Sequence, residues 1–138
     1  ASLGTPDSDT TCVRTDGLQL TGSDPVCRSG VGAFDMVGNV WELVASAAID
    51  GKIDGNALPS KGYIASVSHT GLPLQSTSSP PVGYASDYVW SRATGTYAVM
   101  RGGFYLSGSD AGVNTLHAAI DPTFTSAAIG FRCAQTLR

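Results

Sequence analysis

The sequence predicts one small mixed α+β domain, loop-rich, with a few short strands and one or two helices. Three observations lead there. The chain has 138 residues, enough for one core and too few for two ordinary domains, so the domain is taken as 1–138. Turn formers recur throughout, among them Asp50-Gly51, Asp54-Gly55-Asn56 and Thr94-Gly95, which keeps the elements short. The densest apolar stretch, residues 31–49, is long enough for a helix and carries part of a helical spacing.

Residues 1–30 are rich in Ser, Thr, Asp and Gly and read as loops, with a short strand near Val13 or Leu18–Leu20. Within 31–49, Phe34, Val37, Trp41 and Val44 approximate one helix face, but Gly38-Asn39 favours a turn. A core strand or a helix over Val40–Ala45 fits equally, and either buries Trp41. Residues 50–96 read mostly as connection, with β-like pieces at Gly62–Ser68 and Asp87–Trp90 and an extended loop at Ser76–Pro81. Thr96–Arg101 predicts a strand entering a glycine pair, and Ala128–Ala134 a strand leaving the segment that follows. Between them, 101–133 lacks a sustained hydrophobic period and reads as a structured surface excursion pinned at both ends, a usual place for binding residues.

The formal net charge is −3 with 14% charged residues, which gives no footprint for nucleic acid. No apolar run reaches spanning length, so membrane insertion is not expected. Three cysteines, Cys12, Cys27 and Cys133, predict one disulfide and one free thiol, with three pairings open. Their spacing matches no zinc pattern. The composition suits an extracellular, virion-surface or cell-surface domain. No signal-peptide pattern opens the chain, which starts at Ala1 rather than Met and so reads as a processed or excised piece that could have lost a signal or further domain.

The segments GAFDMVGNVWELV (32–44), RGG (101–103) and IGFRCA (129–134) together resemble the formylglycine-generating-enzyme type of C-type lectin fold. The resemblance implies that fold from about residue 25 onward. The enzyme branch of the family needs reactive cysteines after RGG, and none lies between Gly102 and Arg132. The pattern RGG…GSDAGVNTL…P…IGFRC is closer to variable proteins diversified by retroelements, phage tropism determinants among them. In those proteins adenine-directed mutation of Asn codons cannot produce Lys, Glu, Gln, Met or Trp, and none of the five occurs in 102–132.

By this resemblance 101–133 is the variable region, with Arg101, Gly102, Gly103, Gly108, Ala111, Gly112, Leu116, Pro122, Ile129, Gly130, Phe131 and Arg132 as framework. Ligand-binding positions would be Phe104, Tyr105, Leu106, Ser107, Asp110, Asn114, His117, Ala119, Ile120, Phe124, Ser126 and Ala128. Aromatic anchors beside small adaptable residues suit a general recognition surface. The implied function is ligand or receptor binding without catalysis, by attachment to a protein or other surface ligand on a target cell, with homo-oligomerisation as a route to avidity. No cofactor is required. The resemblance also implies a structural calcium held by Asp35 and Glu42 with the carbonyls of Gly38 and Val40.

Each residue also has a plainer reading. Phe104 and Tyr105 could be core beneath the loop. His117 lacks the neighbours of a catalyst or ligand, and His69 lies in a solvated loop. Phe131 and Trp41 read as core. Arg101 and Arg132 either pair with Glu42 or Asp35 or bond backbone carbonyls. Competing functions are a formylglycine-generating-enzyme-like catalyst and an undiversified structural or carbohydrate-binding module.

Overall fold

The computed structural model describes residues 17–25, 27–29 and 32–133. Nine strands follow in order: β1 Trp41–Ile49, β2 Lys52–Ile53, β3 Asn56–Ala57, β4 Gly62–Val67, β5 Pro73–Thr77, β6 Tyr88–Ser91, β7 Thr96–Arg101, β8 Leu116–Ile120 and β9 Ile129–Phe131. They form one sheet in the order β3-β2-β1-β7-β8-β6-β4-β5, with β9 pairing β1 beside β2. The α+β expectation is therefore corrected. Among the described residues no α-helix occurs, only a single 3-10 turn at Gly108–Asp110, and the architecture is nearly all β.

Of the two elements that fit Val40–Ala45, the structure takes the strand, after the expected turn at Gly38-Asn39. Gly38 and Asn39 both take the left-handed region, at φ 75° and 57°, which breaks a right-handed helix before it can span the stretch. The Asn39 side chain then pairs with the backbone of Gln19: its Oδ1 accepts from Gln19 N–H at 3.0 Å and its Nδ2 donates to Gln19 O at 3.1 Å. The chain leaves the turn extended, and Trp41 opens β1, 7% exposed.

Two further expectations change. Residues 50–96 hold five strands rather than mostly connection. The segment 101–133 is not wholly a surface excursion, because β8 lies at the centre of the sheet between β7 and β6. Its sequence LHAAI alternates: Leu116 and Ala118 are 1% exposed, while His117 and Ala119 turn to the other face. The small Ala residues weaken this alternation in a hydropathy reading, which is why the strand was missed. Thr96–Arg101 is a strand as predicted. The predicted pieces at 62–68, 87–90 and 128–134 are found within a residue or a few of their expected bounds.

The sheet has two unlike faces. Ala48, Ile53, Ile64, Val89, Val99, Leu116 and Ala118 form the aliphatic core on one, backed by Val44, Leu58, Val67, Leu72, Tyr84 and Tyr97. Burying each larger aliphatic side chain contributes about 1.5–3 kcal/mol. On β4, β6 and β8 the intervening residues Tyr63, Tyr88, Trp90 and His117 occupy the other face, with Val89 opposite Leu116 and Trp90 opposite His117 in the parallel β6–β8 pair. Phe131, expected in the core, is 77% exposed on β9.

Below this sheet end sits a tightly packed polar junction. Asp87 is 1% exposed, and its Oδ2 accepts from Asn114 N–H at 3.0 Å. Thr115, fully buried, accepts from Tyr88 N–H at 3.2 Å and donates to the Asp110 carbonyl at 2.6 Å. A Cβ on Gly112 would collide with the Asp87 carboxylate. Gly112→Ala is expected to destabilise the domain by about 1–3 kcal/mol through overpacking, measured as a lower urea midpoint at unchanged slope.

Candidate functional site

Three separated motifs meet at one end of the sheet. Gly102, at φ 90°, approaches so closely that a Cβ would lie 2.7 Å from the Met36 carbonyl oxygen. Its own carbonyl accepts from Gly38 N–H at 3.1 Å, and Tyr105 N–H donates to Asn39 O at 3.1 Å. The RGG segment is thus fastened to the Gly38-Asn39 turn. From the other side, β9 runs parallel to β1 with Trp41 opposite Ile129, Glu42 opposite Gly130 and Leu43 opposite Phe131. The Trp41 N–H donates to Ala128 O at 2.7 Å just before that pairing starts.

Both framework arginines hold the junction, each in a different way. Arg132 forms a forked ion pair with Glu42 and donates to the Phe34 carbonyl at 2.9 Å. The Glu42 hydrogen bonds raise its already high pKa, so it stays charged. Among the described residues Arg101 pairs directly with no carboxylate; its Nη2 donates to Gly71 O at 3.0 Å and Val113 O at 3.1 Å. Burial lowers its pKa, opposed by the Asp87 charge. Both expected roles, ion pair and carbonyl capping, are therefore used.

Above the junction the aromatic side chains form a row. Tyr63 meets Tyr88 at 5.0 Å between centroids, Tyr88 meets Trp90 at 4.6 Å, and Trp90 stacks on His117 at 5.2 Å. His117 then meets the edge of Trp41 at 5.5 Å, Trp41 stacks with Phe104 at 6.4 Å, and Phe104 meets Tyr105 at 5.5 Å. Each such contact contributes about 0.5–1.5 kcal/mol beyond burial. All but Trp41 are half-buried, so the row is both packed and accessible.

His117 is chemically constrained by this setting. Burial, then the nearby Arg92 charge, lowers its pKa to about 4. Its Nδ1 accepts from Ala119 N–H at 3.3 Å, so the neutral ring carries its proton on Nε2. A neutral imidazole between two indoles is a fixed hydrogen-bond donor and a poor general acid at physiological pH.

Of the sequence-predicted residues, the structure brings Phe104, Tyr105 and His117 into the row. Leu106 is 62% exposed at the adjacent loop. Ser107 works within that loop, its Oγ accepting from Phe104 N–H at 2.9 Å. Asp110 lies in the 3-10 turn, with its carboxyl raised above the usual range by burial, and Asn114 bonds Asp87. Ala119 and Ile120 share β8 with His117. Phe124, Ser126 and Ala128 fall in the return to β9; Phe124 is 55% exposed and makes no ring contact with the row among the described residues. Sequence reasoning missed Tyr63, Tyr88 and Trp90. The Tyr-Val-Trp alternation at 88–90 was the available signal: the stretch reads as a β-like piece, but its aromatic face was not assigned to the site.

Asp35, Val40 and Glu42 line a small cavity of about 190 Å³ with Thr21, Asn39, Gly130, Phe131 and Arg132. These residues do not fit a calcium ion as arranged. Calcium takes six to eight oxygens, whereas the Arg132 guanidinium occupies the Glu42 carboxylate and Asp35 Oδ2 accepts from Gly22 N–H at 2.9 Å. Among the described residues no three acidic, His or Cys side chains gather around one point. Cys27 is disulfide-bonded and Cys133 is a free, exposed thiol; Cys12 lies outside the described residues.

One sheet with an aliphatic face, long motif-bearing loops at one end and a parallel return strand beside β1 defines a C-type-lectin-like domain. The sequence profile described as the sulfatase-modifying factor enzyme 1-like domain matches residues 14–137, and the chain belongs to that family. No curated protein sequence matches the chain.

Two outcomes are expected here. The folded state disfavours His117 protonation, so the unfolded chain binds more protons between pH 6.5 and about 4, and stability falls as pH drops through that window. His117→Phe is expected to flatten the fall by on the order of 2 kcal/mol after allowance for partial exposure, read as the difference in melting temperature between wild type and variant across the window. Calcium and chelator are each expected to leave the melting temperature unchanged; a calcium-dependent rise would show that the ion displaces the guanidinium.

Proposed function

We propose that this domain is a recognition protein whose ligand-binding surface is the aromatic row and its flanking loop, diversified over 101–133 by a retroelement and used for viral or cell-surface attachment. One observation carries the reading: Phe104, Tyr105 and His117, expected as variable positions, join Trp41, Trp90, Tyr88 and Tyr63 in one continuous row that is half-exposed except at the buried Trp41. The four residues outside 101–133 supply a constant aromatic base; His117 sits between Trp90 and Trp41, and Phe104 and Tyr105 extend the row beyond Trp41. Strand backbone and cross-strand stacking hold the base rigid, so little ordering entropy is lost on binding.

Catalysis has less support. No cysteine lies between Gly102 and Arg132, and His117 is held neutral with no carboxylate partner among the described residues. Recognition of a protein or other surface ligand fits better, with homo-oligomerisation as the means to avidity.

The test has two parts. Sequencing this gene region in a natural population, aligned to any nearby near-copy, is expected to show adenine-linked substitutions at codons such as those for Leu106, His117, Ile120 and Phe124, with RGG and IGFRC fixed. An invariant region without a near-copy sinks the diversification claim. Separately, Trp90→Ala and Phe104→Ala, checked for folding by circular dichroism, are expected to weaken attachment of domain-coated beads to target cells by about tenfold or more, as for a buried aromatic anchor. Undiminished attachment would remove the row from recognition.

A further inference from the structure

The row has polar ends that the protein leaves unused. Among the described residues, no hydrogen bond engages the Trp90 indole N–H or the hydroxyls of Tyr63 and Tyr88, and none of these atoms is buried. His117 spends its Nδ1 on Ala119, which leaves Nε2–H as a further donor. The strand positions that share this face, Tyr63, Tyr88, Trp90, His117 and Met100, include no carboxylate. The charge that acts on His117 comes from Arg92, a cation. The face therefore combines apolar ring surface with two donor-only ring N–H groups and two hydroxyls that can donate or accept.

That imbalance selects a ligand chemistry. An ordinary extended peptide brings an N–H at every residue, and the two tyrosine hydroxyls are the only acceptors that the Tyr63, Tyr88, Trp90 and His117 side chains offer it. Proline has no N–H, and a polyproline II helix presents carbonyls free of internal hydrogen bonds on a stiff, apolar rod. Such segments dock on aromatic-lined surfaces elsewhere. Their stiffness also limits the entropy lost on binding.

We propose that the Tyr63–Tyr88–Trp90–His117 face binds a proline-rich segment in the polyproline II conformation. The Trp90 and His117 ring N–H groups and the tyrosine hydroxyls donate to its carbonyls while the pyrrolidine rings pack on the aromatic surface. The inference rests on the reading of this face as the recognition surface and names the class of ligand it takes.

The test is an NMR titration of the 15N-labelled domain with a proline decamer, and with a Gly-Ala decamer as control. The Trp90 indole signal is assigned by its loss in Trp90→Phe. The proline decamer is expected to shift that signal saturably and the control to leave it in place. Tyr88→Phe, which removes one hydroxyl and keeps the ring, is expected to weaken binding about threefold to tenfold, the loss of one hydrogen bond. An unmoved Trp90 signal, or equal shifts with both decamers, overturns the proposal. If the signal does not move while Trp90→Ala still impairs cell attachment, the ligand class is wrong and the recognition role stands. If neither responds, both readings fall.

Discussion

The close approach of Gly102 to the Met36 carbonyl is the constraint on which the functional end of the molecule depends. Only a residue without Cβ, in a left-handed conformation, fits there. Because it fits, the Gly102 carbonyl reaches Gly38 N–H and the next residues run across the turn, where Tyr105 bonds Asn39. Phe104 is delivered onto Trp41 by the same path. A bulkier residue at 102 would shift the loop that carries Phe104 and Tyr105, and the aromatic row would lose one end.

The opposite side is fastened by charge and by strand pairing. Glu42 and Arg132 are adjacent through the parallel β1–β9 register, and the guanidinium also ties the Phe34 carbonyl. A forked Arg–carboxylate pair adds geometry as well as energy, though its partial exposure keeps the energetic share modest. The result is a division of labour across one sheet: aliphatic residues on one face stabilise the domain, while rings on the other remain partly open.

The sequence made the three motifs legible because each contains residues with a physical requirement: the left-handed Gly38-Asn39 turn, the crowded Gly102, the paired Arg132. It also made the strand Thr96–Arg101 legible, where β-branched, aromatic and apolar residues concentrate. Over Val40–Ala45 the sequence left strand and helix open, because the Gly38-Asn39 turn argued against one smooth helix while the spacing of Phe34, Val37, Trp41 and Val44 still fitted a helix face. The strand Leu116–Ile120 was hidden by alanines, whose hydropathy scarcely alternates. The half of the aromatic row formed by Tyr63, Tyr88 and Trp90 could not be read because β4 and β6 are brought to β8 by pairing between residues far apart in the chain. Phe131 was misplaced because an aromatic residue inside a framework motif reads as core, whereas it faces outward at a strand edge.

The central claim is that the ring-bearing face of the sheet is where a ligand is recognised. Hydroxyl-radical footprinting of the domain, free and bound to target cells, tests it most directly, since oxidation of aromatic side chains reports their solvent access. The account predicts protection at Tyr63, Tyr88, Trp90 and Phe104 on binding, with Phe131 and Leu74 unchanged. Protection confined to Phe131 or Leu74, with the ring row as reactive as in the free domain, would contradict it.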